Sequence, residues 1–290
     1  MVEDLGRIIE KGFETWKNNL IICLPFVFTS ILTAIVAGII IFTTILATMP
    51  SLIPSLENLA APPQDLFPQL PPQLLQSIGI IIVAIIVAVL IAMLINAFFW
   101  AGAIGMAKEA TETGHTDLSH MLEYGRRKFV SLFFTDIIVG LISFAGIVFL
   151  IPGILYLLPK VRTFSELPEG EIIVTFALFG LGLLLMIVYI VIISILLALP
   201  RYAVVIGDMG AIEGIKTGFR CFMSNKLAVF LLWLIVLVVS IIAGSFGVIP
   251  YIGGLISALL SVIVIEPLTV IWWSRLYLSM EESPEETTEL

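Results

Sequence analysis

Two acidic side chains stand inside stretches of this sequence that are otherwise apolar. Asp136 ends the run Phe-Phe-Thr-Asp, and Glu266 is followed at once by Pro267 within the apolar residues 262–270. A carboxylate inside a bilayer is unfavourable unless it meets water, a partner or the interior of a helix bundle. There it can exchange protons, bind a cation or pair with an arginine. The first chemistry that these residues indicate is therefore proton or ion handling within a membrane.

The composition supports a membrane setting. Hydrophobic residues form 60% of the 290-residue chain and charged residues only 12%, and the mean hydropathy is +1.14. A helix needs about 20 apolar residues to cross a bilayer, and six stretches are that long: about 20–48, 76–106, 129–151, 172–199, 227–249 and 251–277. We predict an all-α, polytopic integral membrane protein whose residues 1–278 form one membrane domain.

The basic residues predict the orientation of these six spans. Of the 14 Lys and Arg residues, only Lys160 and Arg162 fall on one side of the arrangement, and the other twelve fall on the opposite side. The positive-inside rule then places both termini in the cytoplasm of a multi-pass protein of the cell membrane. The loop 49–75 has seven prolines and no basic residue, which predicts an extracytoplasmic connection. Residues 279–290 are predicted to form a disordered acidic tail.

The two intramembrane acids are predicted to share one depth. At about 1.5 Å per residue, Asp136 lies about 10 Å beyond the start of the third span near residue 129, and Glu266 lies at a similar depth below the tryptophans at 272–273. Asn96 of the second span is expected to join this polar layer. Pro267 has no N–H, so the carbonyl four residues before it is left free beside the carboxylate.

Three interpretations of Glu266 remain open. The side chain either hydrogen-bonds to a neighbouring helix or pairs with an arginine near the cytoplasmic boundary, for which Arg201 and Arg127 are the candidates. It alternatively couples to an ion or a proton, or it forms a polar site for a lipid or another ligand. The sequence does not choose among these interpretations.

An amphipathic segment recurs before the spans. Residues 3–18 are predicted to form a helix that lies in the membrane interface, and the motif Gly12-Phe13-x-x-Trp16-x-x-Asn19 matches Gly218-Phe219-x-x-Phe222-x-x-Asn225 before the fifth span. A weaker third copy with Leu118, Leu122, Gly125 and Phe129 follows a candidate N-cap at Thr116 or Asp117. We predict a threefold internal repeat of one interfacial helix plus two spans. These helices serve as surface anchors or, alternatively, in gating or partner docking.

The stretch 208–226 and the following pair of spans, whose last helix carries Pro267 and ends in Leu276-Tyr277, resemble a known family. It comprises largely archaeal six-span membrane proteins labelled glycerophosphodiester phosphodiesterase membrane-domain-like. The resemblance implies a six-span fold and its topology over most of the chain. We expect no hydrolase domain here, so the catalytic part of that label is not transferred.

Enzymatic and metal chemistry is not predicted. His115 and His120 are five residues apart, a spacing that does not align two ligands on one helix face, and Ser245 has no intramembrane histidine as a base. We expect no cofactor, no metal and no nucleic-acid partner. Six glycines are predicted to allow close helix packing: Gly102, Gly105, Gly180, Gly182, Gly244 and Gly247.

The leading functional prediction is permeation or transport of an ion or small solute past the layer of Asp136 and Glu266. The alternative is a non-catalytic scaffold or lipid-organising protein that acts through its interfacial helices. The expected partners are the lipid bilayer and either a second copy of the chain or another membrane protein.

Overall fold

A computed structural model describes residues 3–48, 72–158 and 168–281, with only the backbone described for residues 72–77 and 169. All regular structure in these ranges is helical. The α-helices are α1 (Leu5–Asn18), α2 (Leu24–Thr48), α3 (Pro72–Thr113), α4 (Leu118–Phe144), α5 (Ile151–Leu157), α6 (Glu169–Leu196), α7 (Pro200–Val205), α8 (Ala211–Ser224), α9 (Lys226–Ser245), α10 (Gly253–Leu260) and α11 (Glu266–Glu281). Short 3₁₀ turns join α1 to α2, α4 to α5 and α9 to α10, and a π-helical turn over Ser261–Ile265 joins α10 to α11.

Six segments are long and apolar enough to cross a membrane, as predicted: Leu20–Thr48, Ile78–Thr113, Leu118–Leu157, Gly170–Val205, Lys226–Val248 and Gly253–Glu281. Several run beyond the predicted bounds because polar residues at their ends continue the helix. Gly114, with φ 82°, ends α3 in the left-handed region that glycine adopts readily. Residues 49–71, 159–167 and 282–290 are outside the described ranges, and with them most of the proline-rich loop, Lys160, Arg162 and most of the acidic tail.

The helix α1 is capped at both ends. The Asp4 carboxylate accepts the backbone N–H of Gly6 at 3.0 Å, as an N-cap residue does. At the other end, the side-chain amide of Asn19 donates to the Thr15 carbonyl at 3.1 Å. Gly12 lies so close to the Trp272 ring that a Cβ there would overlap it, so α1 packs directly on α11.

The helix α8 repeats this geometry. Its last residue is followed by Asn225, whose φ and ψ of −132° and 42° are close to the −130° and 56° of Asn19. The amide of Asn225 also donates to the carbonyl four residues back, at 3.4 Å. A Cβ on Gly218 would come within 2.6 Å of the Pro200 nitrogen, so α8 packs on the start of α7.

The third amphipathic segment is arranged differently. Asp117 caps α4 and accepts the N–H groups of Ser119 and His120 at 2.8 and 3.3 Å. The helix then runs without a break from residue 118 into the span. Leu132 stands seven residues after Gly125, where the other two segments have a capping asparagine. Without that side chain to replace the helical hydrogen bonds, the helix continues.

Most of the buried core lies at one end of the bundle. We call the packed half the region formed by α1, α7, α8 and the adjoining residues 97–110, 121–135 and 267–280 of α3, α4 and α11. Its fully buried side chains include Ile8, Ile104, Met106, Leu132, Val204, Ile271 and Leu276. We call the remaining parts of the six spans the open half, where large apolar side chains are mostly exposed, among them Phe42, Val83, Leu141, Phe144, Phe176 and Leu255.

Candidate functional site

An ion pair joins two helices next to the packed half. Asp136 projects from α4, and Arg201 follows Pro200 at the start of α7, where the proline separates this short helix from α6. The Nε of Arg201 donates to Oδ1 of Asp136 at 2.7 Å. The Asp136 side chain is 12% exposed and the Arg201 side chain 39% exposed. One partner is therefore nearly enclosed, while the guanidinium remains accessible.

An aromatic ring holds the guanidinium from a second direction. The Cζ atom of Arg201 lies 4.9 Å from the centre of the Trp100 ring, a distance at which the cation is attracted to the π face. Asp136 occupies one edge of the guanidinium and Trp100 one face. Among the described residues, the two Nη groups of Arg201 have no hydrogen-bond partner.

A cleft of about 310 Å³ surrounds this ion pair. Four aromatic side chains and several aliphatic ones line it together with the charged pair. The lining comprises Trp100, Asp136, Val139, Ser143, Ile193, Ser194, Leu197, Ala198, Pro200, Arg201, Tyr202, Trp233, Thr269 and Trp273. The cleft thus combines one charged pair, aromatic edges and an otherwise apolar wall.

Glu266 and Asn96 extend the polar residues of this region by one helical turn. Glu266 is half-buried and precedes Thr269 by three residues on α11, so it shares a helix face with a residue that lines the cleft. Asn96 precedes Trp100 by four residues on α3, and its Oδ1 is buried with no hydrogen-bond partner. Within the described ranges, the Glu266 carboxylate forms no hydrogen bond or ion pair. The structure does not join it to Asp136.

Arg127, the other candidate partner of Glu266, is paired elsewhere. Its Nη2 lies 3.2 Å from Oδ1 of Asp208, and the Nζ of buried Lys128 lies 2.6 Å from the same oxygen. The hydrogen bond from Lys128 holds the pKa of the Asp208 carboxyl below its ordinary value. Asp208 has a positive φ of 57° in the loop between α7 and α8. This cluster ties α4 to that loop and lies outside the polar layer.

Pro267 frees a backbone acceptor that α1 and the following turn use. The carbonyl of Ile263, four residues before the proline, accepts the indole N–H of Trp16 at 3.1 Å and the thiol of Cys23 at 3.1 Å. The N–H of Glu266 bonds instead to the carbonyl of Ser261, which defines the π-helical turn. The proline, the motif tryptophan and the start of the first span therefore meet at one carbonyl oxygen.

The residues of the repeated motif have different environments. Gly12, Gly218 and Phe222 are buried in helix contacts, and Trp16 is engaged with Ile263. Asn19 is 4% exposed, and its side chain binds the α3–α4 turn through the N–H of Thr116 at 3.1 Å and the carbonyl of Gly114 at 3.2 Å. Phe13 and Phe219 are 50% and 39% exposed, so these two offer the accessible aromatic surface.

The sequence interpretation missed the aromatic side chains of the cleft and a second ion pair. Trp100, Trp233 and Trp273 come from three different helices, and no spacing in the sequence relates them. The Arg275 Nη2 lies 3.2 Å and 3.3 Å from the two carboxylate oxygens of Glu3 and is 272 residues away along the chain. The sequence shows an arginine near the end of the last span and an acid before α1, but their meeting depends on how α1 packs.

Comparison with known proteins identifies a family but assigns it no activity. A family model described as a domain of unknown function, DUF7847, matches residues 24–274. A protein of Archaeoglobus fulgidus, described as an uncharacterized protein, is 26% identical over 292 residues with 96% of each chain covered. Neither description carries a glycerophosphodiester phosphodiesterase label, and no solved structure matches. Since the family model matches most of the chain and includes part or all of each of the six apolar segments, this chain belongs to the DUF7847 family.

Proposed function

We propose that this protein binds a small solute or ion in the cleft around Asp136 and Arg201 and carries it across the membrane without bond chemistry. The accessible Arg201 guanidinium in an otherwise apolar cleft supports this function, since a charged group is kept inside a membrane at a free-energy cost when it serves a ligand or pathway. Glu266 and Asn96 lie about one helical turn before Thr269 and Trp100 of the cleft, and they line the next part of the solute pathway.

The proposal includes an orientation and an evolutionary origin. The basic residues support a cell-membrane protein with both termini in the cytoplasm, so that the packed half faces the cytoplasm. The matching asparagine caps of α1 and α8 support descent from repeated units of one interfacial helix and two spans. In the third unit, the break between the interfacial helix and the span was lost, so that α4 is continuous. Internal repeats are common in transporters. The resemblance of residues 208–226 and the last two spans to membrane domains of the glycerophosphodiester phosphodiesterase type favours the same topology.

The test of transport is flux in reconstituted vesicles. Purified protein in liposomes should raise the flux of at least one member of a panel of ions and small solutes above that of empty liposomes. Asp136→Asn should lower that flux by at least tenfold, and Glu266→Gln by a smaller factor. Glu14→Gln, which changes an exposed acid on α1 far from the cleft, is the matched control and should leave flux unchanged. Flux equal to that of empty liposomes across the panel would overturn the proposal.

A second candidate is supported by the exposed aromatic residues of α1 and α8. Phe13 and Phe219 project from helices that are fixed by their glycine faces. They provide two equivalent apolar points at one membrane surface for a partner protein or a lipid. This role is that of a non-catalytic scaffold.

The scaffold role is tested on exposed residues alone. Phe13→Ser with Phe219→Ser should abolish recruitment of a partner to the membrane while leaving solute flux unchanged and lowering stability by no more than about 1 kcal/mol, because Phe13 contacts the Trp16 ring. Trp16 and Phe222 are unsuitable for this purpose because both are packed. Co-purified proteins that are the same for the double variant and the native chain would refute the scaffold.

A further inference from the structure

We infer that the cleft binds an anionic group, a carboxylate or a phosphate, through the two Nη groups of Arg201. This inference rests on the proposed function, since it names the class of solute for the same cleft. Asp136 acts as a positioning residue, which holds the Nε edge of the guanidinium at 2.7 Å. Trp100 covers one face of the guanidinium at 4.9 Å. The unused N–H groups are then those on the two Nη atoms, the donors that bind a carboxylate or phosphate in a fork.

Three indole N–H groups in the cleft add further donors to those of Arg201. Trp100, Trp233 and Trp273 line it, and their indole N–H groups form no hydrogen bond with the described part of the chain. An indole nitrogen donates and cannot accept. The hydroxyls of Ser143 and Ser194 donate to carbonyls of their own helices, at 2.9 and 2.8 Å, so they have only acceptor lone pairs left for a ligand. The unused donors of the cleft are therefore the N–H groups of Arg201 and of the three indoles, and these suit a ligand that accepts hydrogen bonds.

The ion pair also argues against a cation as the ligand. A cation that approached the Asp136 carboxylate would compete with a guanidinium nitrogen 2.7 Å from it and would meet like-charge repulsion. An anion meets the opposite arrangement, because Arg201 is 39% exposed and Asp136 is 12% exposed. The charge that the ligand reaches first is positive.

The rest of the lining favours an anion with an apolar part. Val139, Ile193, Leu197 and Ala198 line the cleft and carry no polar side-chain atom. A volume of about 310 Å³ holds a short-chain carboxylate or phosphate ester. Such a group has two sources: a free organic anion or the headgroup of an anionic lipid.

The experiment uses the full chain in phosphatidylcholine nanodiscs, with tryptophan fluorescence as the readout. Three of the five tryptophans of the chain line the cleft. Octyl phosphate should change the fluorescence saturably, and octyltrimethylammonium should neither do so nor displace it. Arg201→Gln should weaken octyl phosphate binding at least tenfold and Arg201→Lys less. Arg126→Gln, which removes an exposed arginine outside the cleft, should have no effect.

The variant Asp136→Asn distinguishes the loss of the ion pair from the loss of the anion contact. Both Arg201→Gln and Asp136→Asn remove the ion pair, but only Arg201→Gln removes the anion contact, so Asp136→Asn should weaken octyl phosphate binding by a smaller factor than Arg201→Gln does. A second arm replaces part of the phosphatidylcholine with phosphatidylglycerol. Competition with octyl phosphate in these nanodiscs would identify a lipid headgroup as the ligand source, and unchanged binding would identify a free anion; either sustains the inference.

Three outcomes overturn the anion site. They are equal binding by Arg201→Gln, saturable binding of octyltrimethylammonium in place of octyl phosphate, and no saturable response to octyl phosphate in the native chain. The last two use only the native protein, so a variant that fails to fold does not remove the test. Anion binding without vesicle flux would refute transport and leave the site standing. Flux that is insensitive to Arg201→Gln would refute the site and leave transport standing.

Discussion

Two clefts of nearly equal volume lie in different parts of this bundle. One is lined by a charged pair and aromatic side chains, and the other is almost entirely aliphatic. The cleft beside the packed half measures about 310 Å³ and contains the Asp136–Arg201 pair and three tryptophans. A groove between α2 and α3 in the open half measures about 320 Å³ and is lined by aliphatic residues and threonines. Both threonines of the groove, Thr44 and Thr48, donate their hydroxyls to carbonyls four residues back, at 2.6 and 2.8 Å. The groove therefore offers a ligand no unused hydroxyl donor.

The contrast follows from the solvent in which the helices are packed. Lipid chains are as apolar as leucine, so burying leucine between spans gives little driving force, and close packing and polar contacts hold membrane helices together. The packed half has these contacts in its glycines, its asparagine caps and its ion pairs. The open half has fewer of them, among them the close approach of Gly182 to Phe149, and leaves most of its large apolar side chains exposed to the lipid. Specific chemistry is consequently concentrated at one end of the molecule.

The largest expected difference between the halves comes from the same substitution at two glycines. A Cβ at Gly105 would overlap the Tyr124 ring of α4, whereas nothing lies within 4 Å of a Cβ at Gly180. Gly105→Val should destabilise the protein by about 3 kcal/mol or prevent folding, as overpacking of a tight contact does. Gly180→Val should change stability by less than about 0.5 kcal/mol. Thermal unfolding in detergent measures both, and equal losses would contradict the division into halves.

The next largest effect is expected at the ion pair beside the packed half. Removing one partner of a fully buried pair costs about 3–5 kcal/mol, and the exposure of Arg201 reduces this to about 2 kcal/mol for Asp136→Asn. The double variant Asp136→Asn with Arg201→Gln should recover part of the loss, because no unpaired charge remains. A double-mutant cycle by thermal unfolding measures the coupling. Additive single losses would mean that the two side chains act independently.

A smaller effect is expected where α1 meets the carbonyl released by Pro267. Trp16→Phe removes the indole N–H that Ile263 accepts at 3.1 Å, while Cys23 still donates to the same oxygen. The expected loss is about 1 kcal/mol, typical of one hydrogen bond. Glu10→Gln, at an exposed position of the same helix, is the control and should have almost no effect. Amide hydrogen exchange over residues 5–18 would show whether α1 is loosened, and an unchanged rate would contradict the contact.

The sequence predicts the spans well because the bilayer requires long apolar helices. It predicts their bounds less well, since a helix such as α4 begins where Asp117 caps it, 11 residues before the apolar stretch that was predicted from residue 129. The sequence predicts that glycines allow close helix packing, but it does not predict which of the six glycines do so. Gly102, Gly105 and Gly182 lie against Met121, Tyr124 and Phe149, whereas Gly180 and Gly244 face open space.

For the candidate site as well, the sequence shows which residue types are present but not which side chains meet. The types of residue in it, two acids and an arginine inside or beside spans, are visible in the sequence. Their pairing is not, because depth along a helix says nothing of rotation about its axis. Arg201 meets Asp136 because Pro200 redirects the chain between α6 and α7, and Arg127 meets Asp208 because that loop turns back over α4. Glu266 is half-buried on α11, three residues before Thr269 of the cleft, and has no partner among the described residues.

The smallest effect is expected at Asp208, on the surface end of the packed half. Lys128 keeps the pKa of this carboxyl below its ordinary 3.8, so the folded state binds fewer protons than the unfolded state just below pH 3.8. The stabilisation is complete above pH 3.8 and is lost as the pH falls through the lowered pKa.

Asp208 is 65% exposed, so Asp208→Asn should cost less than about 1 kcal/mol at pH 7. Thermal unfolding of the native chain and of Asp208→Asn should therefore differ at pH 7 and converge as the pH falls below the lowered pKa. Glu213→Gln, which changes an exposed acid on α8, should match the native chain throughout. A difference that persists below the lowered pKa would contradict a role of Asp208 through its charge.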